Sequence, residues 1–434
     1  MIPTFHFIYI DPGTGSMLFT ILIGVISAGV YFLRNSFMKL RFIFSLGKQE
    51  KNANDDRVPF AIFTDSKRYW NIFKPICDEF EKRGQQAVYL TASPDDPALG
   101  EQYEHVSTQF IGEGNRAFAR MNMLKADVVL SSTPGIDVYQ WKRSRDVKWY
   151  AHILHAANDV TAYRMFGIDY YDAVMTSGEY QAKQVRQLED LRDLPEKELP
   201  MIGLPHMDAL RERLLREGEP EAHPVTVLLA PSWGPSSILN KFGSKMIDAL
   251  LSTDYHIIIR PHPQSYTSEK EMLNALKSQY PDSDRLEWDN SNDNFEVLRR
   301  SDILISDYSG VIFDFSLVFD KPIIYADTSF DKGPYDAWWL KDEMWTISIL
   351  PKIGRQLTTK NFEKVGELID GCLNAPELSE GRKRARSDTW ANIGESASLA
   401  VDYLIEKRNQ LLDTKEAASS DDTKQSETKE GSKA

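Results

Sequence analysis

From residue 57 to about residue 330, short apolar runs alternate with longer stretches whose apolar positions recur at helical spacing, and few architectures accommodate that alternation. The runs PFAIFT, QAVYLTA, TQFIG, ADVVLSS, KWYAHILHA and DAVMTSG, and later VTVLLAPS, HIIIRPHP, DILISD and PIIYAD, have strand length and consecutive apolar residues. Strands buried on both faces read this way. Alternating strands and helices predict an α/β doubly wound fold of repeated β-α units. The polar stretch REGEPEAHP at 216–224 divides the runs into two sets. Two Rossmann-like domains are therefore expected, over 57–215 and 224–410. A chain of 434 residues suits two domains better than one.

The flanks differ from this middle. No charged residue occurs from Pro12 to Leu33, and MLFTILIGVISAGVYFL is almost wholly apolar. As a helix that uncharged stretch would be roughly 33 Å long, enough to cross a bilayer once. Basic residues follow it, at Arg34, Lys39, Arg41, Lys48 and Lys51, and none precedes it. This is the reverse of a cleaved signal peptide and places the bulk of the chain on the cytoplasmic side. A membrane anchor over 1–50, with its helix at about 16–34, is the expectation, and a buried or interfacial helix is the alternative. From about Leu411 the chain is Ser, Thr, Lys, Asp and Glu with little to bury, so a disordered tail over 411–434 is expected. The net charge of −13, with no concentrated basic face in the folded part, argues against a nucleic-acid partner. Cys77 and Cys372 stand far apart, so neither a disulfide framework nor a zinc site is indicated.

Polar residues of the second set fall directly after its predicted strands. They form three clusters: Ser232 with Ser236 and Ser237, Arg260 with His262, and Ser306 to Ser309. In an open parallel sheet the ligand crevice lies outside the carboxyl ends of the strands, so all three should face it. Ser309 is a candidate helix N-cap, and Gly310 lets backbone amides approach a ligand, which suits a phosphate. On this reading Asp307 and Asp314 flank an anion site; as a plain helix cap they would be solvated carboxylates. Arg260 offers a permanent fork for phosphate oxygens, and His262, held between Pro261 and Pro263, offers a donor or a proton. In the first set, WYAHILHAANDV places His152 and His155 at a strand end. His155, nearer the loop, is the candidate base. Two histidines at this spacing can also hold a metal, but no further ligand pattern completes a site, so no metal or cofactor is expected. Trp338, Trp339 and Trp345 are expected in a core or at the cleft edge.

The His155 segment, GLPHMDAL, LLAPSW, IIIRPHP and SDYSGVIFDFSLVFDKPIIYAD, in that order over roughly 148–330, resemble the CDP-glycerol glycerophosphotransferase family. The resemblance implies a GT-B-like fold with the active site between the domains and a C-terminal helix, about 385–408, packing back across them. It also implies a catalytic-base position for His155, a donor-phosphate site at Arg260 and His262, and a phosphate-binding helix turn at Ser309. Ser232 and Asp208 match family positions of less defined role. Four positions depart from the family pattern: Leu154-His155-Ala156 replaces Trp-His-Gly, Gly234 replaces an Arg, His206 replaces an Arg, and Gly310 replaces a Ser. The implied reaction moves glycerol phosphate, or a related polyol phosphate, from a CDP-alcohol to a lipid-linked glycan or polymer and releases CMP. A GT-B glycosyltransferase using a nucleotide sugar, and a membrane-tethered scaffold that binds without turnover, are the alternatives.

Overall fold

The computed structural model describes residues 57–430, apart from 292, 308 and 327–330, and describes only the backbone from 415 to 430. The expected anchor over 1–50 lies outside the described residues, among which no helix is long and apolar enough to cross a membrane.

Among the described residues, twelve strands form two sheets, each of six parallel strands. The first contains β1 (Val58–Thr64), β2 (Ala87–Thr91), β3 (Val106–Phe110), β4 (Ala126–Ser131), β5 (Val147–Ile153) and β6 (Ala173–Met175), in the order β3-β2-β1-β4-β5-β6. The second contains β7 (Thr226–Leu229), β8 (His256–Ile259), β9 (Leu286–Trp288), β10 (Ile303–Ser306), β11 (Ile323–Ala326) and β12 (Gly354–Leu357), in the order β12-β11-β10-β7-β8-β9. Renumbered from its own first strand, the second order is the first, so both halves carry the Rossmann winding. Each reverses direction between its first and fourth strands, at β1/β4 and at β7/β10. The same hydrogen bond closes both reversals: Ser131 Oγ donates to the Phe63 carbonyl at 2.8 Å, and Ser306 Oγ to the Ala230 carbonyl at 2.6 Å.

Central strands are buried on both faces, as their unbroken apolar runs require. Ile62, Val128 and Leu130 pack under the helix Trp70–Lys82, whose Trp70, Phe73, Cys77 and Phe80 share one face, while Phe63, Val129 and Trp141 fill the other side. Each such fully buried side chain contributes about 1.5–3 kcal/mol. Strands β9 and β12 have no apolar run to betray them: LEW is short, and GRQL buries only its ends.

The chain crosses back to the first domain at its end. Asp208, in the helix Pro205–Glu217, accepts from Trp390 Nε1 and Gly394 N at 2.8 Å and from Ser396 N at 3.0 Å. A carboxylate at the start of the following helix complements its dipole. Gly203, at φ +98, makes room for this return; an added Cβ there would stand 2.2 Å from the Ala391 carbonyl. The helix Ser396–Glu430 then buries Ala400, Val401 and Leu404 against the first sheet's core, and Arg408 pairs with Asp127 at 2.9 Å. It starts later than the expected 385–408 and continues to Glu430, so the tail expected to be disordered from 411 is helical there; good helix formers such as Ala, Glu, Lys and Gln supply the local preference.

Candidate active site

The His155 segment of the first domain comes close to the β10 turn of the second. A Cβ built on Gly310 would lie 3.8 Å from Ala156 Cβ, an ordinary contact. The departures at these two positions are thus complementary: the side-chain carbon missing from one wall is present on the other.

His155 follows β5 and is half-buried. Its Nδ1 is 3.2 Å from the Tyr163 hydroxyl, which is also 3.0 Å from Nε2 of the fully buried His152. The Tyr69 ring packs against His155 with centroids 5.4 Å apart. Burial, with smaller contributions from His206 and Arg68, pushes the His155 imidazolium down from 6.5 to about 4. Burial likewise pushes His152 down to about 3. Both are therefore neutral at pH 7, as a base must be. Because these rings charge more readily in the unfolded chain, the folded state loses stability as pH falls below about 6.5, continuing to about 4 for His155 and about 3 for His152. Urea titrations should show a loss of about 1.4 kcal/mol per pH unit per histidine in that window, and His152→Phe should halve the slope; a flat profile from pH 7 to 5 would refute the assignment.

His262 follows β8. Its Nδ1 accepts the Gln264 backbone N–H at 3.1 Å, which leaves the proton on Nε2. Burial, then Arg68, hold the ring's pKa below its ordinary value against the opposing pull of Asp307 and Glu269. His262 is thus a neutral Nε2–H donor. Arg68, in the turn after β1, bears electrostatically on both His155 and His262, and its one side-chain hydrogen bond among the described residues is to Ser66 Oγ at 3.3 Å. A permanent cation whose charge bears on two neutral imidazoles suits a phosphate ligand. No motif announces Arg68; only its position after β1, at the reversal, could have singled it out.

Several expected site residues have other work. The Arg260 guanidinium pairs with Asp289 and donates to Ser291 Oγ at 3.0 Å and the Ser291 carbonyl at 2.9 Å, so it braces the loop after β9 instead of offering an open fork. Asp307 is buried, which raises its pKa, and its two oxygens accept from Ser232 N at 2.7 Å and Ile238 N at 3.1 Å. It shapes the 231–238 loop from beneath. Ser236 is exposed on that loop, and Ser237 caps its helix. Glu269 holds the same loop through Gly234 N at 2.8 Å. Ser309 does not cap with its side chain: the helical turn begins at Val311 after Gly310, and the Ser309 carbonyl accepts from Ile312 N at 3.1 Å. Asp208 anchors the chain's return through Trp390, Gly394 and Ser396. Asp314 meets His206 Nε2 at 3.1 Å. Of the three tryptophans, Trp338 is 61% exposed, whereas Trp345 stacks on Tyr180 at 4.8 Å.

Two buried ties hold the cleft walls together. Asp159 accepts from Trp345 N at 2.8 Å and from Thr346 N and Oγ1 at 2.9 and 2.6 Å. Arg192 pairs with Asp169 at 2.6 Å and with Asp336, whose carboxylate also receives Phe166 N at 2.9 Å.

Two Rossmann sheets of equal winding, with polar side chains gathered where each reverses, define a GT-B-like α/β fold. The UDP-GlcNAc 2-epimerase from Neisseria meningitidis bound to UDP-GlcNAc shares the fold at a TM-score of 0.51 and 13% identity, over 81% of this chain and 100% of that one. The S. aureus MnaA–UDP co-structure does so at 0.53 and 11%, over 81% and 97%. A comparison with curated proteins found no match. Residues 168–338 match the family model described as CDP-Glycerol:Poly(glycerophosphate) glycerophosphotransferase. The matched stretch includes His262 and the β10 turn; His155 and Arg68 lie upstream of it.

Proposed function

We propose that this protein transfers glycerol phosphate, or a related polyol phosphate, from a CDP-alcohol to a hydroxyl of a lipid-linked glycan or polymer, releasing CMP. The observation that carries the reading is the placement of two neutral histidines of opposite capability in one cleft: His155 with no protein partner for Nε2 among the described residues, and His262 with Nε2 committed as a donor. The acceptor oxygen attacks the phosphorus bearing the transferred alcohol, in line with the phosphoanhydride bond that breaks. His155 takes the hydroxyl proton. The departing CMP carries the electron pair of the broken bond, and His262 Nε2–H, the Arg68 cation and the turn at Ser309–Val311 stabilise its charge.

The test offers the purified full chain CDP-glycerol, CDP-ribitol and several nucleotide sugars, with a membrane-lipid extract as acceptor, and measures nucleotide release. CMP from a CDP-alcohol supports the reading and names the donor. Release from a sugar donor alone moves the protein to the glycosyltransferases, and binding without release makes it a scaffold.

The same reading places the protein at the cytoplasmic face of the membrane, single-pass, where a lipid-linked acceptor is presented. Its support is the uncharged run from Pro12 to Leu33 and the basic residues that follow. Deleting residues 1–50 should move the protein from the membrane pellet to the supernatant; a full chain already in the supernatant after cell breakage would overturn the placement.

A further inference from the structure

We propose that Tyr163, backed by His152, is a positioning residue that fixes His155 as its Nδ1–H tautomer, with the Nε2 lone pair left for the acceptor hydroxyl; this rests on the reading of His155 as the base. The Tyr163 hydroxyl lies within hydrogen-bond distance of both rings, at 3.2 Å from His155 Nδ1 and 3.0 Å from His152 Nε2. It has one proton, so it donates to one imidazole and accepts from the other. His152 decides which. Its Nδ1 is buried without a hydrogen-bond partner of good geometry, and the nearby group that favours a proton on the ring is the Ser131 backbone carbonyl. With the proton on Nδ1, His152 Nε2 is an acceptor and takes the Tyr163 O–H. The phenol oxygen then accepts from His155 Nδ1–H, and Nε2 of His155 holds the lone pair. The opposite order would place a proton on His155 Nε2 and leave it unable to act as a base.

The chain is held from outside the histidine segment. The Tyr163 carbonyl accepts the Asp336 N–H at 2.9 Å, and the Tyr163 ring meets His152 edge-on with centroids 5.1 Å apart. The other titratable or charged groups acting on His155 are Tyr69, His206 and Arg68. None of them is hydrogen-bonded to its Nδ1 among the described residues, so the tautomer depends on Tyr163 and on the His152 ring behind it.

The test is a long-range 1H–15N spectrum of the full chain labelled at histidine, with His155 assigned by its loss in His155→Ala, together with steady-state kinetics. His155 should show a protonated Nδ1 and a bare Nε2. Tyr163→Phe should mix the two tautomers and lower kcat about 10-fold or more while KM for CDP-glycerol stays within about twofold. It should also move the acidic limb of the kcat profile to lower pH, because the imidazolium loses the acceptor that stabilises it. His152→Gln, which keeps an acceptor for the Tyr163 hydroxyl, should retain the tautomer, and His152→Phe should lose it. A protonated Nε2 on His155 in the natural protein, or an unchanged tautomer and kcat in Tyr163→Phe, would overturn the proposal. The spectrum needs no turnover, so a chain that transfers nothing from CDP-alcohols would sink the transferase reading and still decide the tautomer.

Discussion

His155→Ala should lower kcat for CMP release by about 10²–10⁴-fold, the usual worth of a positioned general base, and His262→Ala should cost a comparable factor through loss of a fixed donor to the leaving phosphate. The two losses should differ in kind. His155 acts on the acceptor's proton, so its removal should depress kcat and leave donor KM nearly unchanged. His262, whose Nε2–H is committed by the Gln264 N–H on its Nδ1, touches the donor phosphates in the ground state as well, so KM should rise too. Neither variant should unfold the protein, because both rings are only half-buried and neither carries a charge that a partner needs for neutralisation. Steady-state CMP release with a thermal melt on each variant checks both statements. Turnover within about threefold of the natural protein in either variant would remove that histidine from the reaction.

Arg192→Leu should destabilise the fold by about 3–5 kcal/mol, the largest stability effect expected of a single residue here. Arg192 is 6% exposed, and its guanidinium lies between Asp169 and Asp336, at 5% and 0%. It also covers the Phe166 and Trp339 rings, at 4.8 and 5.2 Å from their centroids. Replacing it by an apolar side chain leaves two buried carboxylates unneutralised, and burial already raises the pKa of both. Without the cation each folded-state pKa rises further above its unfolded value. The variant then gains relative stability below the unfolded pKa, near 4, and loses it as pH rises through the folded one. The deficit against the natural protein should thus shrink as the pH is lowered from 7 toward 5. Adding Asp169→Asn and Asp336→Asn should restore much of the loss. Urea denaturation at the two pH values measures both effects, and a loss below about 1 kcal/mol at pH 7 would show that the triad contributes little. Asp336 also donates its N–H to the Tyr163 carbonyl, so the variant should weaken turnover even where it remains folded.

Legibility in the sequence followed from how each residue does its work. The central strands were readable because burial on both faces demands consecutive apolar residues, as in Phe60–Phe63 and Ile257–Ile259. Strands β9 and β12 were not, because LEW is short and GRQL buries only its ends. The placement of polar residues after strands led to His155 and His262, since strand ends at a sheet reversal face the crevice whatever the loop. It also led to Arg260 and Asp307, as the family resemblance led to Asp208, and the partners of these three could not be read. Asp289 follows a strand without a signature, the amides that Asp307 receives belong to a loop shape, and the amides that Asp208 receives come from residues 394 and 396. A charged or polar residue at a strand end announces only that it needs a partner; a ligand and a neighbouring backbone satisfy that need equally well.

The sequence by itself determined the two doubly wound sheets and the strand ends that carry His155 and His262, because hydrophobic periodicity and strand polarity are local. Only the tertiary structure decided which nitrogen of each histidine is free, that the Arg68 charge bears on both, and that Tyr163, His152 and the Arg192 triad stand behind them. Those facts depend on contacts between residues far apart in the chain, and a proton's position on an imidazole is set by the group that faces it.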